Sequence, residues 1–207
     1  MSVENLWSLR SGAIREKRIP SISALAAHFR EDFAANGGQY LRPGFQAVAI
    51  YRLGVWVDGL SWRLLRWPLR KIYFLLYVFV RNVYGIEIYF TVRAGRRLRF
   101  GHQSGIVIHE RAVIGDDCLI RQNVTIGVAR DDTPLDEVPV IGDRVTIGAG
   151  AAIISPARIG DDVIIGPNVV VRSHVPANSR VLPTTPEIQA RGSGERAKDA
   201  RSGGTRR

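Results

Sequence analysis

The side chains of this sequence with the most obvious reactivity are four histidines and one cysteine. His102 stands in the stretch Phe-Gly-His-Gln-Ser-Gly. An imidazole with a pKa of about 6.5 is suited to collecting the proton of a hydroxyl group. Taken alone, such a histidine is more simply a surface or capping residue. The others, His28, His109 and His174, are scattered, so we expect no metal centre, and the single Cys118 excludes a disulfide framework.

The element that must position His102 is indicated by a hydrophobic repeat of six residues. One eight-residue step, from Ile106 to Ile114, interrupts the repeat. A period of six fits neither an amphipathic helix nor a hairpin sheet; it is typical of a hexapeptide β-helix, in which three short strands form each triangular coil. The repeat positions are Ile88, Ala94, Phe100, Ile106, Ile114, Ile120, Ile126, Ile141, Ile147, Ile153, Ile159, Ile165 and Val171.

The residues between these inward positions predict the corners of the coil. Glycine often follows the key aliphatic residue, and Asp-Asp and Pro-Asn pairs supply further tight turns. Cys118 falls on a small inward position, so we expect a buried thiol. The step from Ile126 to Ile141 is nine residues longer than the repeat requires, and this acidic excursion must leave the coil as a loop. Self-association of the coil is expected, with a trimer as the usual outcome.

The region before the repeat is predicted to be helical. One helix covers 21–36, a second opens at Pro43, and further helical material fills 60–84, with Pro68 in a first helical turn. The chain therefore divides into an α-helical N-terminal region over 1–84, a β-helix over 85–183 and a flexible basic tail over 184–207.

The formal net charge of +10 is distributed unevenly. Residues 52–99 carry a net +8, whereas residues 100–190 carry a net −4. An acidic coil repels phosphates and no recognised module is present, so we expect no nucleic-acid partner. The basic segment 60–81 leaves two readings open. Either it makes peripheral contact with an anionic membrane, or its apolar face packs against the coil or a neighbouring subunit.

No targeting signal or membrane span is evident. The N-terminus has no apolar segment typical of a secretory signal. The longest strongly apolar run, Ile72–Val80, has nine residues, whereas a spanning helix needs about 20. The cytoplasm is therefore the expected compartment.

Five motifs occur in order along the chain: Gly85–Ile88, Gly101–Ile108, Ile120–Gly127, Val145–Ile153 and Gly166–Pro176. Together they resemble the serine O-acetyltransferase family of hexapeptide acyltransferases, and the resemblance covers about residues 24–183. It implies a mainly β fold, a left-handed parallel β-helix preceded by a small α-helical region. It also implies an O-acetyltransferase that uses acetyl-CoA as co-substrate.

The resemblance also implies roles for individual residues. The histidine that matches His102 is the general base that takes the acceptor's proton, and the carboxylate that matches Glu87 orients its ring. Glu87 lies fifteen residues earlier, close to one coil, so the two can be neighbours. Acetyl-CoA is expected to lie between adjacent subunits against two small-residue stretches, Gly127-Val128-Ala129 and Gly148-Ala149-Gly150.

At the acceptor site the sequence departs from the serine-using pattern. Gly101 stands where an aspartate precedes the catalytic histidine, and Glu137 and Val138 stand where an Arg-His pair binds the serine carboxylate. We therefore predict a sugar or exopolysaccharide acceptor, as in the colanic acid type of acetyltransferase, with Gly101, Asp136 and Glu137 as substrate-binding residues. The alternatives are L-serine as acceptor and a non-catalytic hexapeptide scaffold.

Overall fold

A computed structural model describes residues 19–130, 132, 134 and 138–184. The N-terminal residues 1–18 and nearly all of the predicted basic tail, 185–207, lie outside the described residues. Three described helices precede the coil: α1 (Ile22–Ala35), α2 (Pro43–Asp58) and α3 (Arg63–Phe79). A π-helical turn, Val80–Tyr84, follows α3.

The helix boundaries follow from local sequence, with one exception. The Ser21 side chain accepts a hydrogen bond from the Ala24 N–H and caps α1, and Pro43 occupies the first turn of α2, where a missing N–H costs nothing. Pro68 was expected in a first turn, but it lies inside α3, which begins at Arg63. The prediction was wrong because an apolar and basic helix face continues on both sides of the proline and outweighs one lost hydrogen bond.

Within the described residues, the β-helix has fourteen short parallel strands in three sheets. Successive strands go to successive sheets except at the last step, where one sheet is represented only by the isolated bridge between Val175 and Ile159. Face A contains β1 (Ile86–Ile88), β4 (Ile106–Ile108), β7 (Thr125–Gly127), β10 (Ala152–Ile154) and β13 (Val170–Val171). Face B contains β2 (Arg93–Ala94), β5 (Val113–Ile114), β8 (Val140–Ile141) and β11 (Arg158–Ile159). Face C contains β3 (Arg99–Phe100), β6 (Leu119–Ile120), β9 (Thr146–Ile147), β12 (Ile164–Ile165) and β14 (Arg180–Val181). The predicted mainly β fold, a parallel β-helix after a small helical region, is confirmed.

The core is a set of inward-facing aliphatic stacks that run along the coil axis. Ile114, Ile120, Ile126, Ile141 and their successors have no exposed surface. Each buried isoleucine contributes roughly 1.5–3 kcal/mol relative to an exposed one, so the repeat supplies much of the stability of the fold. Cys118 is also buried, as predicted, and burial raises the pKa of its thiol to about 12.

The register of the strands corrects the position of the eight-residue step. Ile108, and not Ile106, pairs with Ile126, and Val107 pairs with Thr125. The two additional residues therefore lie between Phe100 and Ile106, in the turn that contains His102. The sequence misplaced the step because face A has two inward positions per strand, so that Ile106 and Ile108 are both buried.

The turn from face B to face C, here the B–C corner, repeats the same hydrogen bonds in successive coils. Asp116 Oδ1 accepts the Arg96 N–H at 2.9 Å, Asp143 Oδ1 accepts the Asp116 N–H at 2.8 Å, and Asp161 Oδ1 accepts the Asp143 N–H at 3.0 Å. The predicted placement of glycine and Asp-Asp pairs at a corner is thus confirmed, with each of these carboxylates hydrogen-bonded to the neighbouring coil.

A buried polar cluster attaches the helices to the first coil. The Arg52 guanidinium of α2 pairs with Asp32 of α1 at 2.8 Å, and both side chains are buried. Arg52 also donates to the carbonyl oxygens of Ala94 and Gly95, which belong to the first coil. Because removing one partner of such a pair leaves a buried charge, this cluster fixes the helices on the end of the coil that carries His102.

Candidate active site

His102 lies in the turn Gly101–Gly105, which leads from face C to face A and is here called the His102 turn. Its imidazole is exposed, as are Ser104 and Gly105. The Ser104 N–H donates to the Tyr84 carbonyl oxygen at 2.8 Å, so the turn is held against the end of the π-helical turn. The two inserted residues therefore present an exposed imidazole on a turn whose far end is anchored.

Glu87 projects outward from β1, between the buried Ile86 and Ile88. Its Oε1 accepts a long hydrogen bond, 3.4 Å, from the Tyr77 hydroxyl of α3. Burial, with a further contribution from the charge of Glu87, raises the pKa of Tyr77. Tyr77 therefore remains a neutral donor near neutral pH and helps to hold the carboxylate.

The structure brings the elements that carry Glu87 and His102 together. The Ile106 N–H, just after the His102 turn, donates to the carbonyl oxygen of Gly85 at 2.9 Å, and Glu87 pairs with Val107 in the sheet. Among the described hydrogen bonds and ion pairs, none joins the two side chains directly. The pairing of Glu87 with His102 stays a prediction, with backbone proximity as its support.

The turns from face C to face A stack on one another and form the C–A corner. Successive backbone hydrogen bonds run from Asn123 N–H to the Ser104 oxygen, from Gly150 N–H to the Gln122 oxygen, and from Asn168 N–H to the Ala149 oxygen. With coils about 4.8 Å apart, Gly148–Gly150 lies roughly 10 Å along this corner from the His102 turn. The second predicted acetyl-CoA stretch and His102 thus share one corner.

The glycines in the two predicted acetyl-CoA stretches have different surroundings. A β-carbon on Gly148 would lie 2.6 Å from backbone atoms of Gly166 and Pro167, and Gly150 has a φ of +72°. Coil stacking and a left-handed turn therefore require glycine at both positions. A β-carbon on Gly127 would meet only Thr125 Cγ2, at 3.6 Å.

The open surface at Gly127 continues into Val128, which is half-buried, and the exposed Ala129. Packing alone does not demand glycine at position 127, so this stretch leaves room for a ligand beside its backbone. Its role in binding acetyl-CoA stays a prediction, as does that of the stretch at Gly148.

Of the predicted acceptor residues, the structure describes only Gly101. It is half-buried at the start of the His102 turn, and a β-carbon there would make ordinary contacts at 3.6 Å with Arg121 and Leu119. Asp136 and Glu137 lie outside the described residues. Among the described residues, no group of three or more His, Cys, Asp or Glu side chains could hold a metal ion.

Two residues of the coil next to His102 escaped the sequence analysis. Arg121 and Gln122 follow β6 and occupy the turn that stacks on the His102 turn, since Phe100 pairs with Ile120. Both belong to the motif Ile120–Gly127, but the misplaced eight-residue step concealed their relation to His102.

Helix α3 exposes most of its apolar side chains. Leu64 is 80% exposed, Leu75 71% and Trp67 66%, whereas Tyr73 and Tyr77 are its buried residues. In the described residues, no helix has the length and apolar character needed to cross a membrane.

A family model described as "Bacterial transferase hexapeptide (six repeats)" matches residues 139–173. The chain is 37% identical over 145 residues to the serine acetyltransferase of Helicobacter pylori strain 26695, covering 69% of this chain and 78% of the relative. This protein belongs to the serine acetyltransferase family. A relative from Synechococcus elongatus is 36% identical over 165 residues, covering 76% of this chain, and the chain spans 64% of that relative's length.

The structure agrees with this assignment. The crystal structure of the Neisseria gonorrhoeae serine acetyltransferase in complex with serine superposes with a TM-score of 0.65 at 26% identity, covering 85% of this chain and 73% of the other. The superposed region, 85% of this chain, is longer than the coil, so it includes helices as well.

These comparisons overturn the predicted acceptor. The sugar or exopolysaccharide acceptor is wrong, because relatives in sequence and structure are named for serine. The roles of Gly101, Asp136 and Glu137 in binding an acceptor stay predictions. The prediction of a sugar failed for a physical reason. Replaced side chains such as Glu137 and Val138 show that particular contacts have changed, but another cation on the same rigid coil can bind a carboxylate.

Proposed function

We propose that this protein transfers the acetyl group of acetyl-CoA to the hydroxyl of L-serine, forming O-acetylserine and free CoA. The observation that carries the proposal is His102, exposed on a turn lengthened by two residues in a chain of the serine acetyltransferase family. The naming of its relatives favours an enzyme over the non-catalytic scaffold.

In the proposed reaction His102 acts as general base. Its imidazole takes the proton of the serine hydroxyl as the oxygen attacks the thioester carbonyl carbon. The new C–O bond forms, the C–S bond breaks, and the imidazolium returns the proton to the departing CoA sulfur. The exposure of His102 suits this role because both substrates must reach one ring nitrogen.

Glu87 orients the imidazole and stabilises its protonated form in this proposal. Support comes from the outward position of Glu87 on β1 and from the hydrogen bond of Ile106 N–H to Gly85, which holds the end of the His102 turn beside that strand. A carboxylate placed there favours the imidazolium, as an acid–base histidine requires.

The acetyl group passes directly between the substrates, without an intermediate on cysteine. The thiolate is the nucleophilic form of cysteine, and burial raises the pKa of Cys118 to about 12. Cys118 also has no exposed surface, so a pantetheine thioester has no path to its sulfur.

Acetyl-CoA binding and assembly form part of the same proposal. The pantetheine arm lies against the backbone of Gly127, Val128 and Ala129 and along the C–A corner at Gly148, Ala149 and Gly150. Gly127, where an added β-carbon would meet only Thr125 Cγ2, supports such an approach. The protein assembles as a homotrimer in the cytoplasm, with the groove between subunits completing the site.

Peripheral membrane contact through 60–81 is a separate proposal that rests on helix α3. Between Gly59 and Ile86 there are five cationic and no acidic side chains: Arg63, Arg66, Arg70, Lys71 and Arg81. A cavity of about 280 Å³ between Trp67, Arg70, Lys71, Tyr73, Phe74 and Tyr89 combines cations with aromatic rings. Such a face fits an anionic lipid surface.

Co-sedimentation with vesicles tests the membrane contact. At physiological salt the protein is expected to bind phosphatidylglycerol vesicles and not phosphatidylcholine vesicles, and the Leu64→Glu, Leu75→Glu double variant is expected to lose binding. If the protein binds neither kind of vesicle and α3 is protected from labelling in the free protein, copies of the chain cover this face instead.

Thiol release from acetyl-CoA tests the proposed function. Wild-type protein is supplied with serine, with a hexose as comparison acceptor, and the product is identified by its mass. Serine is expected to release CoA and to gain one acetyl group. Absence of transfer to serine overturns the proposal, and absence of acetyl-CoA binding as well would restore the scaffold alternative.

A further inference from the structure

L-Serine carries an ammonium and a carboxylate group on the carbon next to the one that bears its hydroxyl. Any site that aims the hydroxyl at His102 must therefore place a cation and a hydrogen-bond acceptor within one coil of the imidazole. The coil on the open side of the His102 turn offers both, in the consecutive residues Arg121 and Gln122.

Arg121 lies against the residue that precedes His102. Its Cγ is 3.6 Å from the position that a β-carbon on Gly101 would take, and its side chain is exposed. A guanidinium forms two parallel hydrogen bonds with a carboxylate, a geometry that gives both affinity and orientation.

Three other arginines near this site already have carboxylate partners. Arg96 pairs with Glu31, Arg97 with Asp117 at 2.5 Å, and Arg144 with Asp162 at 2.6 Å. Within the described part of the chain, no ion pair or side-chain hydrogen bond engages the Arg121 guanidinium. It is thus a cation that remains available to an acceptor, and it lies in the turn that stacks on the His102 turn. Arg99, which also has no ion pair with a described residue, lies before the His102 turn on β3.

Gln122 supplies the complementary group. Its Oε1 is buried and has no hydrogen-bond partner among the described residues, although the residue as a whole is only half-buried. A buried acceptor without a donor costs free energy, and rotation of this half-buried side chain would offer the amide oxygen to a donor on a ligand. The α-ammonium of serine is such a donor.

Gly101 completes the arrangement. Because it has no side chain, the space between Arg121 and the start of the His102 turn stays open. An acidic side chain at this position would pair with Arg121 and remove the cation from the acceptor. The glycine at position 101 therefore keeps the Arg121 guanidinium available to a substrate carboxylate.

We infer that Arg121 binds the carboxylate and Gln122 Oε1 the ammonium of the amino-acid acceptor, as a recognition subsite one coil from His102. The inference rests on the proposed function, because it concerns the acceptor of that reaction. It makes Arg121 and Gln122 specificity residues and leaves the chemistry at His102 unchanged.

Steady-state kinetics with matched acceptors test the subsite. Arg121→Gln is expected to raise the KM for serine about tenfold to a hundredfold, with kcat and the KM for acetyl-CoA little changed. With serinamide, which lacks the carboxylate, the same variant is expected to match the wild type. Arg121→Lys, which keeps the charge but loses the paired geometry, should recover part of the serine affinity.

Gln122→Leu gives the second arm. This variant is expected to have a higher KM for serine than the wild type. Variant and wild type should use 3-hydroxypropanoate, which lacks the ammonium, equally well. Arg93→Gln is the control, because Arg93 is exposed on face B, opposite the C–A corner. It should change no acceptor parameter.

The outcomes separate the two claims. If the wild type transfers acetyl to serine and Arg121→Gln keeps its KM for serine, the subsite is wrong and the proposed function stands. An equal loss of serine and serinamide would also overturn the subsite, since it would indicate a general defect. If the wild type does not use serine, both claims fail.

Discussion

The B–C corner and the C–A corner belong to the same coils, yet they use their polar groups in opposite ways. At the B–C corner, Asp143 and its equivalents bond backbone N–H groups of the adjacent coil, and Arg144 pairs with Asp162. At the C–A corner, His102 is exposed, and among the described residues Arg121 has no ion pair and Gln122 Oε1 has no partner. The B–C corner satisfies its groups within the coil, whereas the described part of the C–A corner leaves these groups unengaged.

This difference indicates which corner of the coil tolerates inserted residues. The two-residue insertion of the His102 turn falls on the C–A corner, whereas the B–C corner keeps its Gly-Asp pattern in three consecutive coils, at Gly115, Gly142 and Gly160. At the B–C corner, an added residue would move a carboxylate away from the N–H group whose hydrogen bond it accepts. At the C–A corner, backbone groups join the coils, and the Asn123 N–H still reaches the Ser104 oxygen across the inserted residues.

The largest expected effect is loss of catalysis on His102→Ala. Removing a general base lowers kcat by about 10²- to 10⁴-fold. The free energy of unfolding should stay within about 0.5 kcal/mol of the wild type, because the imidazole is exposed. Acetyl transfer to serine and chemical denaturation measure the two quantities.

His109→Ala is the matched control for this prediction. His109 lies at the end of face A, on another corner, where its Nδ1 accepts the Arg111 N–H at 3.3 Å. Full activity in His102→Ala would contradict the proposed mechanism. An equal loss of activity in His109→Ala would show that the loss is not specific to the histidine at the C–A corner.

A pair of glycine substitutions compares the rigidity of the two corners. A β-carbon on Gly115 would lie 2.4 Å from the Gly142 carbonyl oxygen, a backbone atom that cannot move away, so Gly115→Ala should cost about 1–3 kcal/mol. The same change at Gly101 meets only 3.6 Å contacts and should leave stability nearly unchanged. Urea unfolding of both variants checks this, and equal losses would contradict the comparison.

Removal of one polar group from each corner should give a smaller difference. Asp143→Ala leaves the Asp116 N–H without its acceptor and should cost about 1 kcal/mol, which Asp143→Asn should partly restore. Gln122→Leu removes an acceptor that has no partner and should cost no stability. A marked loss of stability in Gln122→Leu would show that this amide has a structural role.

The smallest effect concerns pH. The Arg144 guanidinium lowers the pKa of Asp162, and the Arg97 guanidinium lowers that of Asp117, in each case chiefly through a hydrogen bond. Because the folded-state pKa lies below the unfolded value of about 3.9, this stabilisation is complete above that pH and is lost as the pH falls through the folded value.

Exposed pairs contribute little, so a small difference in Tm between the wild type and Arg144→Gln is expected near neutral pH, and it should vanish in acid. Thermal unfolding followed by circular dichroism from neutral to acidic pH measures this difference. A difference that grows on acidification would contradict the assignment of the pair.

Much of the fold could be predicted from periodicity and turn chemistry. The six-residue spacing through Ile141 and Ile147 identified the coil, and a small inward position correctly placed Cys118 in the core. Pro68 and the eight-residue step were misjudged. Both errors concern places where a local rule, the position of a proline or a count of six, competes with packing over a longer stretch.

The candidate site could be predicted only in part. His102 and Glu87 were recognisable by type and by resemblance, and the structure brings their elements together. The acceptor was misjudged because Gly101 and Val138 reveal only which side chains are missing, whereas the position of Arg121 beside Gly101 depends on how the coils stack.

By itself the sequence determined that inward residues recur every six positions, that glycine and aspartate form corners, and that His102 stands in a motif among these repeats. The tertiary structure decided which residues face each other across coils. Ile106 and Ile108 both point inward, so spacing alone permits two registers, and only the hydrogen bonds of Val107 with its neighbours select one. That selection places the insertion in the His102 turn and sets Arg121 and Gln122 beside it.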